Sequence, residues 1–428
     1  MINAVGSKCV LAGSFLLSFQ VLTVGVSDSL SLSFILLFFS VLFSRSTDLR
    51  IVVGFLCFLS ISTIFLLLSL YLGPGISVDI KRIFSFFYIQ VYFVVILLAC
   101  RGYSFLSRRM LSYFLMGLLL NASLALLDFL SYLIFRVPII PINLMQVVFG
   151  FDLPRFAVHF YNEVGFYRPG GLFGEPKILG LFAVVGLIII KFVSIKSLIV
   201  RYSSYAILGF SIFVSASTSA LILLVVYSFS LLISYSAVYR WRKIVALGLV
   251  LSIFTSAVVF LFVMNADSYT SQYGSIEQIT GFTIIDRSLR ADLLEDFDLL
   301  SLRALQSSLS NALIGYGAVF GNLSLVDSDY ADLWVTPDNY FVAKSGLFFI
   351  LSFFGFFGFL LVIIVWYISI SKKEFYFDDK LLHMFFTVYF LFPCLFLLRA
   401  YLMYALVFCA ILIFQINSKR IVRVKAYV

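Results

Sequence analysis

The chain has 428 residues, of which 62% are hydrophobic and 12% charged, and its formal net charge is +9. At a mean hydropathy of +1.10 it has too little polar surface to cover itself in water, which excludes an ordinary soluble domain and makes lipid its solvent. The excess of positive charge does not indicate nucleic acid: the basic residues fall in short clusters between apolar runs, with no basic face interleaved by aromatics.

Crossing the hydrocarbon core takes about 20 apolar residues. Runs of this kind lie near 9–26, 29–44, 51–72, 83–100, 110–135, 177–194, 203–216, 218–238, 244–264, 345–370, 381–398 and 400–417. The first, Cys9 to Val26, has the look of a signal peptide. A second run follows at once, so it reads as an uncleaved signal anchor. The run at 29–44 is short for a span, and the division at Arg399 is the least marked. The stretch 203–238 reads as a tight pair of helices broken at Ser215-Ala216-Ser217-Thr218-Ser219. The expected fold is therefore all-α: one polytopic integral membrane domain, 1–428, of about twelve transmembrane helices. Cys9, Cys57, Cys100, Cys394 and Cys409 lie in or beside apolar runs, with neither a disulfide framework nor a zinc spacing.

Charge sets the orientation. With twelve spans and a cytoplasmic N-terminus, the inner segments hold Lys8; Arg45 and Arg50; Arg101, Arg108 and Arg109; and Lys191, Lys196 and Arg201. They continue with Arg240, Arg242 and Lys243; Lys372, Lys373 and Lys380; and Lys419, Arg420, Arg423 and Lys425. Every inner segment is basic, as the positive-inside rule requires, and both termini are expected in the cytoplasm.

Two outer-face segments are long, about 136–176 and 265–344. The second holds 11 of the 21 acidic residues, from Asp267 to Asp338. A connector of that length usually carries function. Within it Asp286 can cap an amphipathic helix through Leu289, Leu293, Phe297 and Leu300, ended by Gly315-Tyr316-Gly317.

The richest stretch is Arg168-Pro-Gly-Gly-Leu-Phe-Gly-Glu-Pro-Lys-Ile-Leu-Gly180, where the first outer segment re-enters the membrane. Gly170, Gly171 and Gly174 permit sharp turns. Pro176 suits the first position of a helix, which puts Glu175 at that helix's positive end. Arg168 is left at the boundary, where a guanidinium can grip phosphate in bidentate fashion. The plainer alternative is a helix cap with Arg168 paired to Glu175.

Arg-x-x-Gly-x-Phe-x-Glu-Pro before an apolar helix resembles the motif of bacterial O-antigen polymerases, which form a membrane glycosyltransferase superfamily with the O-antigen ligases. A second likeness lies in the large loop: an arginine-bearing helix at 287–310, Gly315-Tyr316-Gly317, Asp338-Asn339-Tyr340 before the next span, and Gly346 soon after. A third is Ser215-Ala216-Ser217-Thr218, where relatives often carry arginine in place of Thr218. In topology the resemblance covers most of the chain, and in motif only about 30 residues, by count along the sequence.

The resemblance implies an enzyme of the bacterial inner membrane. It would move a growing glycan from undecaprenyl pyrophosphate to a sugar hydroxyl of an incoming lipid-linked repeat unit on the outer face. Its partners would be undecaprenyl-pyrophosphate-linked oligosaccharides, membrane lipid and a chain-length-regulating membrane protein. No cofactor is implied. Arginines placed where charge develops on the leaving group can replace a metal. Arg168 is one, and Arg290 is favoured over Arg287 and Arg303 as its large-loop counterpart. Each of the three is otherwise a solvated or paired helix arginine. Asn339, Tyr340, Gly315 and Gly317 complete the implied substrate site.

A base for the acceptor hydroxyl is sought in Asp338 or Glu175. Thr336-Pro337-Asp338-Asn339 reads equally as a turn. Related ligases tend to carry a histidine in the large loop before the asparagine. Here that loop has none, and Asp338 stands in its place, which favours a polymerase and leaves the base open. His159 and His383 read as structural. Asp296-Phe297-Asp298 and Asp327-Ser328-Asp329 have the oxygen donors of a divalent-metal site, but such a pattern arises readily by chance in so acidic a loop. Asp128, inside the fifth span, reads as a packed polar contact. A lipid-linked oligosaccharide flippase also fits twelve spans, yet it would place charges along a central cavity and keep its outer loops short.

Overall fold

A computed structural model describes residues 2–18, 31–44, 80–135, 168–173, 176–215, 405–413 and 415–416, with shorter pieces at 52–54, 56–57, 59–60, 63–64, 220, 223–224, 305, 312–313, 315, 321–322, 340–341, 351, 355–357 and 360. These residues are mostly helical. The helices are α1 (Ile2–Leu16), α2 (Leu32–Leu42), α3 (Ile80–Gly102), α4 (Ser107–Phe135), α5 (Pro176–Ile189) and α6 (Leu198–Ser215). Residues 405–413 and 415–416 are helical too. A two-residue antiparallel pair, β1 (Gly321–Asn322) with β2 (Tyr340–Phe341), accompanies them and leaves the helical class unchanged.

Six helices fall on expected spans, with shifted ends. α1 begins at Ile2 rather than at 9, because lysine is a good helix former and Lys8 interrupts the apolar run without interrupting the helix. For the same reason α4 takes in Arg108 and Arg109. Conversely α5 stops at Ile189, and the chain tightens into turns, with Lys191 N–H donating to Ile188 O at 3.2 Å. α6 is described as far as Ser215, and the expected break at 216–219 lies outside the described residues. The spans near 244–264 and 381–398 lie outside the described residues, as does most of 51–72, 218–238 and 345–370.

Among the described residues, two helices are long and apolar enough to cross a membrane, Ser104–Phe135 and Leu198–Ser215. Their polarity is inverted relative to a helix in water. On α4 the buried face carries Asn121, Asp128 and Ser131 beside Phe114, Leu118 and Ala125. Its exposed side carries Tyr113, Met116, Leu120, Leu127, Leu130 and Ile134. Polar groups turned inward and bulky apolar groups turned outward suit a hydrocarbon surrounding.

The chain divides into two compact units: Met1–Arg45 with Gly102–Ala291 and Cys409–Val428, and Ser46–Arg101 with Asp292–Phe408. In the first, small residues let helices approach. A side chain at Gly13 would stand 2.9 Å from Leu37 Cγ, so glycine is what lets α1 close on α2. The Ser31 hydroxyl caps α2 by accepting from Phe34 N–H at 3.2 Å. Tyr103 passes beside Gly6 to donate its hydroxyl to Ser40 O at 3.0 Å. Burial, then the neighbouring Cys9, holds that phenol above its ordinary pKa, so it stays a donor. Further along, Gly186 of α5 meets Leu118 of α4 and Leu208 of α6, each 2.8 Å from where a Cβ would stand. Ser204, Ser211 and Ser215 are buried along α6. Each returns its hydroxyl to a carbonyl three or four residues back, so no polar hydrogen is stranded.

In the second unit Gly355, at φ +61°, lies against the backbone of Leu313 and Gly315, where any side chain would collide. Gly315 itself has φ +86° and follows helical Ala312 and Leu313. Left-handed glycine just past a helix is the expected terminator.

Candidate functional site

The site expected around Arg168 is built on α4, α5 and α6, all in the first unit. Gly171 begins a short 3-10 turn, Gly171–Phe173. It has φ +56°, and a Cβ there would stand 2.5 Å from Asn121 Oδ1 and 3.2 Å from Ala125 Cβ. Only glycine satisfies both the backbone angle and the lack of space. The next residue makes the contact that holds the turn: Leu172 N–H donates to Asn121 Oδ1 at 2.6 Å. Pro176 then opens α5, as the sequence indicates.

Upstream of the turn, Arg168 spans to α6. Its Nε and Nη2 both donate to the Ser215 carbonyl, at 3.0 and 2.9 Å. Ser215 is the last described residue of α6 and is buried. The guanidinium gives its carbonyl a charged hydrogen-bond donor. This contact to a carbonyl of α6 is separate from the helix cap with Glu175 that the sequence suggests. Glu175, the partner expected from the sequence, lies outside the described residues. The contact also joins two motifs 47 residues apart, the Arg168 motif and the Ser215 motif.

Gly315 and Tyr340 belong to the second unit. Gly315 is buried. Tyr340 is paired with Asn322, and Phe341 with Gly321, so the ends of the segment 323–339 are held together. Asp338, Asn339, Gly317, Arg287, Arg290 and Arg303 lie outside the described residues, as do His159, His383 and both Asp-x-Asp patterns. Among the described residues, no group of three or more His, Cys, Asp or Glu side chains is placed to hold a metal ion. Asp128 is 2% exposed on the inner face of α4, seven residues from Asn121 and so on the same side of the helix.

Asn121 does not stand out in the sequence reading. It is 0% exposed, and its amide nitrogen has no hydrogen-bond partner among the described residues. The signal was present: an asparagine in the apolar run Leu118-Leu119-Leu120-Asn121-Ala122. Polar side chains inside spans are functional candidates by default, and that holds for Asn121 as much as for the more conspicuous Asp128.

No protein-family model, curated protein or solved structure matches this chain.

Proposed function

We propose that the chain is a polytopic membrane glycosyltransferase of the O-antigen polymerase type. On this reading about twelve helices cross the bacterial inner membrane, with both termini in the cytoplasm and the long segments 136–176 and 265–344 outside. The enzyme takes undecaprenyl-pyrophosphate-linked oligosaccharides and transfers the growing glycan to a sugar hydroxyl of the next lipid-linked unit. The observation that carries the reading is the hydrogen-bonded contact between Arg168 and Ser215. It brings together two of the three sequence motifs on which the resemblance rests. The inverted polarity of α4 supports the membrane part.

Chemically, the reaction breaks the bond between the glycan and pyrophosphate, and negative charge grows on the leaving oxygen. Arg168 is the residue assigned to that charge, with Arg290 or Arg287 of the large loop. The neutral Ser215 carbonyl is a weaker acceptor for a guanidinium than a pyrophosphate oxygen, which adds the attraction between opposite charges to the hydrogen bond. The guanidinium is therefore held oriented by a partner that the substrate can outcompete. Asp338 or Glu175 is assigned to the acceptor hydroxyl, and Tyr340, Asn339, Gly315, Gly317 and Arg303 to substrate binding.

The test is an assay of membranes carrying the protein, supplied with lipid-linked repeat units. A ladder of lengthening lipid-linked glycans is the expected result. Transfer of glycan to a different acceptor would make it a ligase, and a change of sidedness without elongation would make it a flippase.

A further inference from the structure

We propose that Asn121 is a positioning residue for Arg168, acting through the turn at Gly171–Phe173. Three observations converge on it. Asn121 Oδ1 accepts from Leu172 N–H at 2.6 Å, four residues beyond the arginine. Gly171, between them, is in the left-handed region and pressed onto Asn121 and Ala125 of α4. Arg168 reaches the Ser215 carbonyl from the other end of the same short segment. The turn is thus anchored to α4 at one end and to α6 at the other. Pro169-Gly170-Gly171 lies between.

The amide orientation follows from the partner, since a backbone N–H needs the oxygen and not the nitrogen of the side chain. The nitrogen is left buried with no partner among the described residues. A leucine of nearly the same size would avoid that cost. What leucine lacks is the acceptor for Leu172, so the oxygen is the part of Asn121 that the fold uses. Pro169 reinforces the arrangement. Its ring fixes one backbone angle and restricts Arg168 to extended conformations, so a displacement of the turn passes to the arginine instead of being absorbed.

The catalytic consequence rests on the polymerase reading, whereas the positional one does not. The experiment separates them with two readouts on the full-length protein in membranes. The first is labelling of a cysteine at Gly170 (Gly170→Cys, in a background without the native cysteines) by a membrane-impermeant maleimide. Asn121→Ala and Asn121→Leu should each change the labelling rate several-fold, while Asn121→Asp, which keeps an acceptor oxygen, should leave it near the parent value. Equal rates in all four proteins would overturn the proposal.

The second readout is elongation of lipid-linked units. Displacing a catalytic group by about 1 Å costs on the order of a hundredfold in rate. Asn121→Ala should therefore lower kcat by about 10–100-fold with little change in KM, and Asn121→Asp should recover most of the loss. In the Arg168→Ala background, Asn121→Ala should add almost nothing, because both act through one group. Independent, multiplying losses would overturn the positioning role. If the parent protein elongates nothing while labelling still depends on the Asn121 oxygen, the polymerase reading fails and the positional one stands.

Discussion

At the scale of single residues, Arg168 has two duties that separate by chemistry. Its hydrogen bonds hold the Ser215 carbonyl of α6, and losing a charged donor to a buried carbonyl costs about 1.5–3 kcal/mol. Its proposed duty at the leaving group is worth more, about 3–4 kcal/mol or 100–1,000-fold in rate. Lysine can serve the first in part, since one ammonium N–H can still reach a carbonyl. It cannot reproduce the planar fork of the second. Arg168→Lys is accordingly expected to remain in the membrane near parental level while the glycan ladder collapses toward a single repeat, and Arg168→Ala to lose about 100–1,000-fold in elongation rate, which initial-rate assays still resolve. The same loss is expected at Arg290 or Arg287, but not at Arg109 or Arg242. Immunoblots of membranes beside glycan gels make the comparison. A normal ladder from Arg168→Ala would end the leaving-group assignment. Loss of the protein from the membrane in both variants would leave only the structural contact to Ser215. The sequence pointed to Arg168 but not to Ser215, because a carbonyl 47 positions away is not visible along a chain.

At the scale of helices, the fit of α4, α5 and α6 turns on Gly186. A methyl there would meet the ends of two leucine side chains, Leu118 and Leu208, which can swing aside. Gly186→Ala is therefore expected to be mild. Gly186→Val, with two more carbons and a stiff rotamer, should cost about 1–3 kcal/mol by overpacking. Gly209 of α6 has nothing within 4 Å of where a methyl would stand, so Gly209→Ala should hold or raise stability, alanine being the better helix former. Thermal unfolding in detergent, ranking the three variants, checks both statements, and an unstable Gly209→Ala beside a neutral Gly186→Val would reverse the packing argument. The helices themselves were legible, since an apolar run of span length announces a membrane helix. Their ends were less so, because Lys8, Arg108 and Arg109 interrupt hydropathy without interrupting the helix. The β1–β2 pair was not legible at all: two residues on each side carry no periodicity, and their partnership is set by the surrounding fold.

At the scale of the whole molecule, the threading is tested directly. A reporter fused after Val428 should read cytoplasmic, and one near Ser328 should read external. The reverse at Ser328 would put the large loop on the wrong side for the proposed substrate. Metal dependence is the companion experiment. If arginines carry the leaving-group charge, elongation should survive EDTA, whereas full loss restored by a divalent ion would move attention to Asp296, Asp298, Asp327 and Asp329. The helical residues 405–413 and 415–416 belong in large part to the first unit, and one contact there bears on how such a chain is made. The Ser107 hydroxyl, at the start of α4, lies 2.6 Å from Gln415 Oε1, a partner 308 residues downstream. Leu412, Ile413 and Ile416 are buried in the same stretch. At ribosomal speeds of about 5–20 residues per second, α4 waits about 15–60 s for that neighbour to be synthesised. On the membrane reading, the early helices of the first unit wait through that interval without the neighbour that covers Ser107.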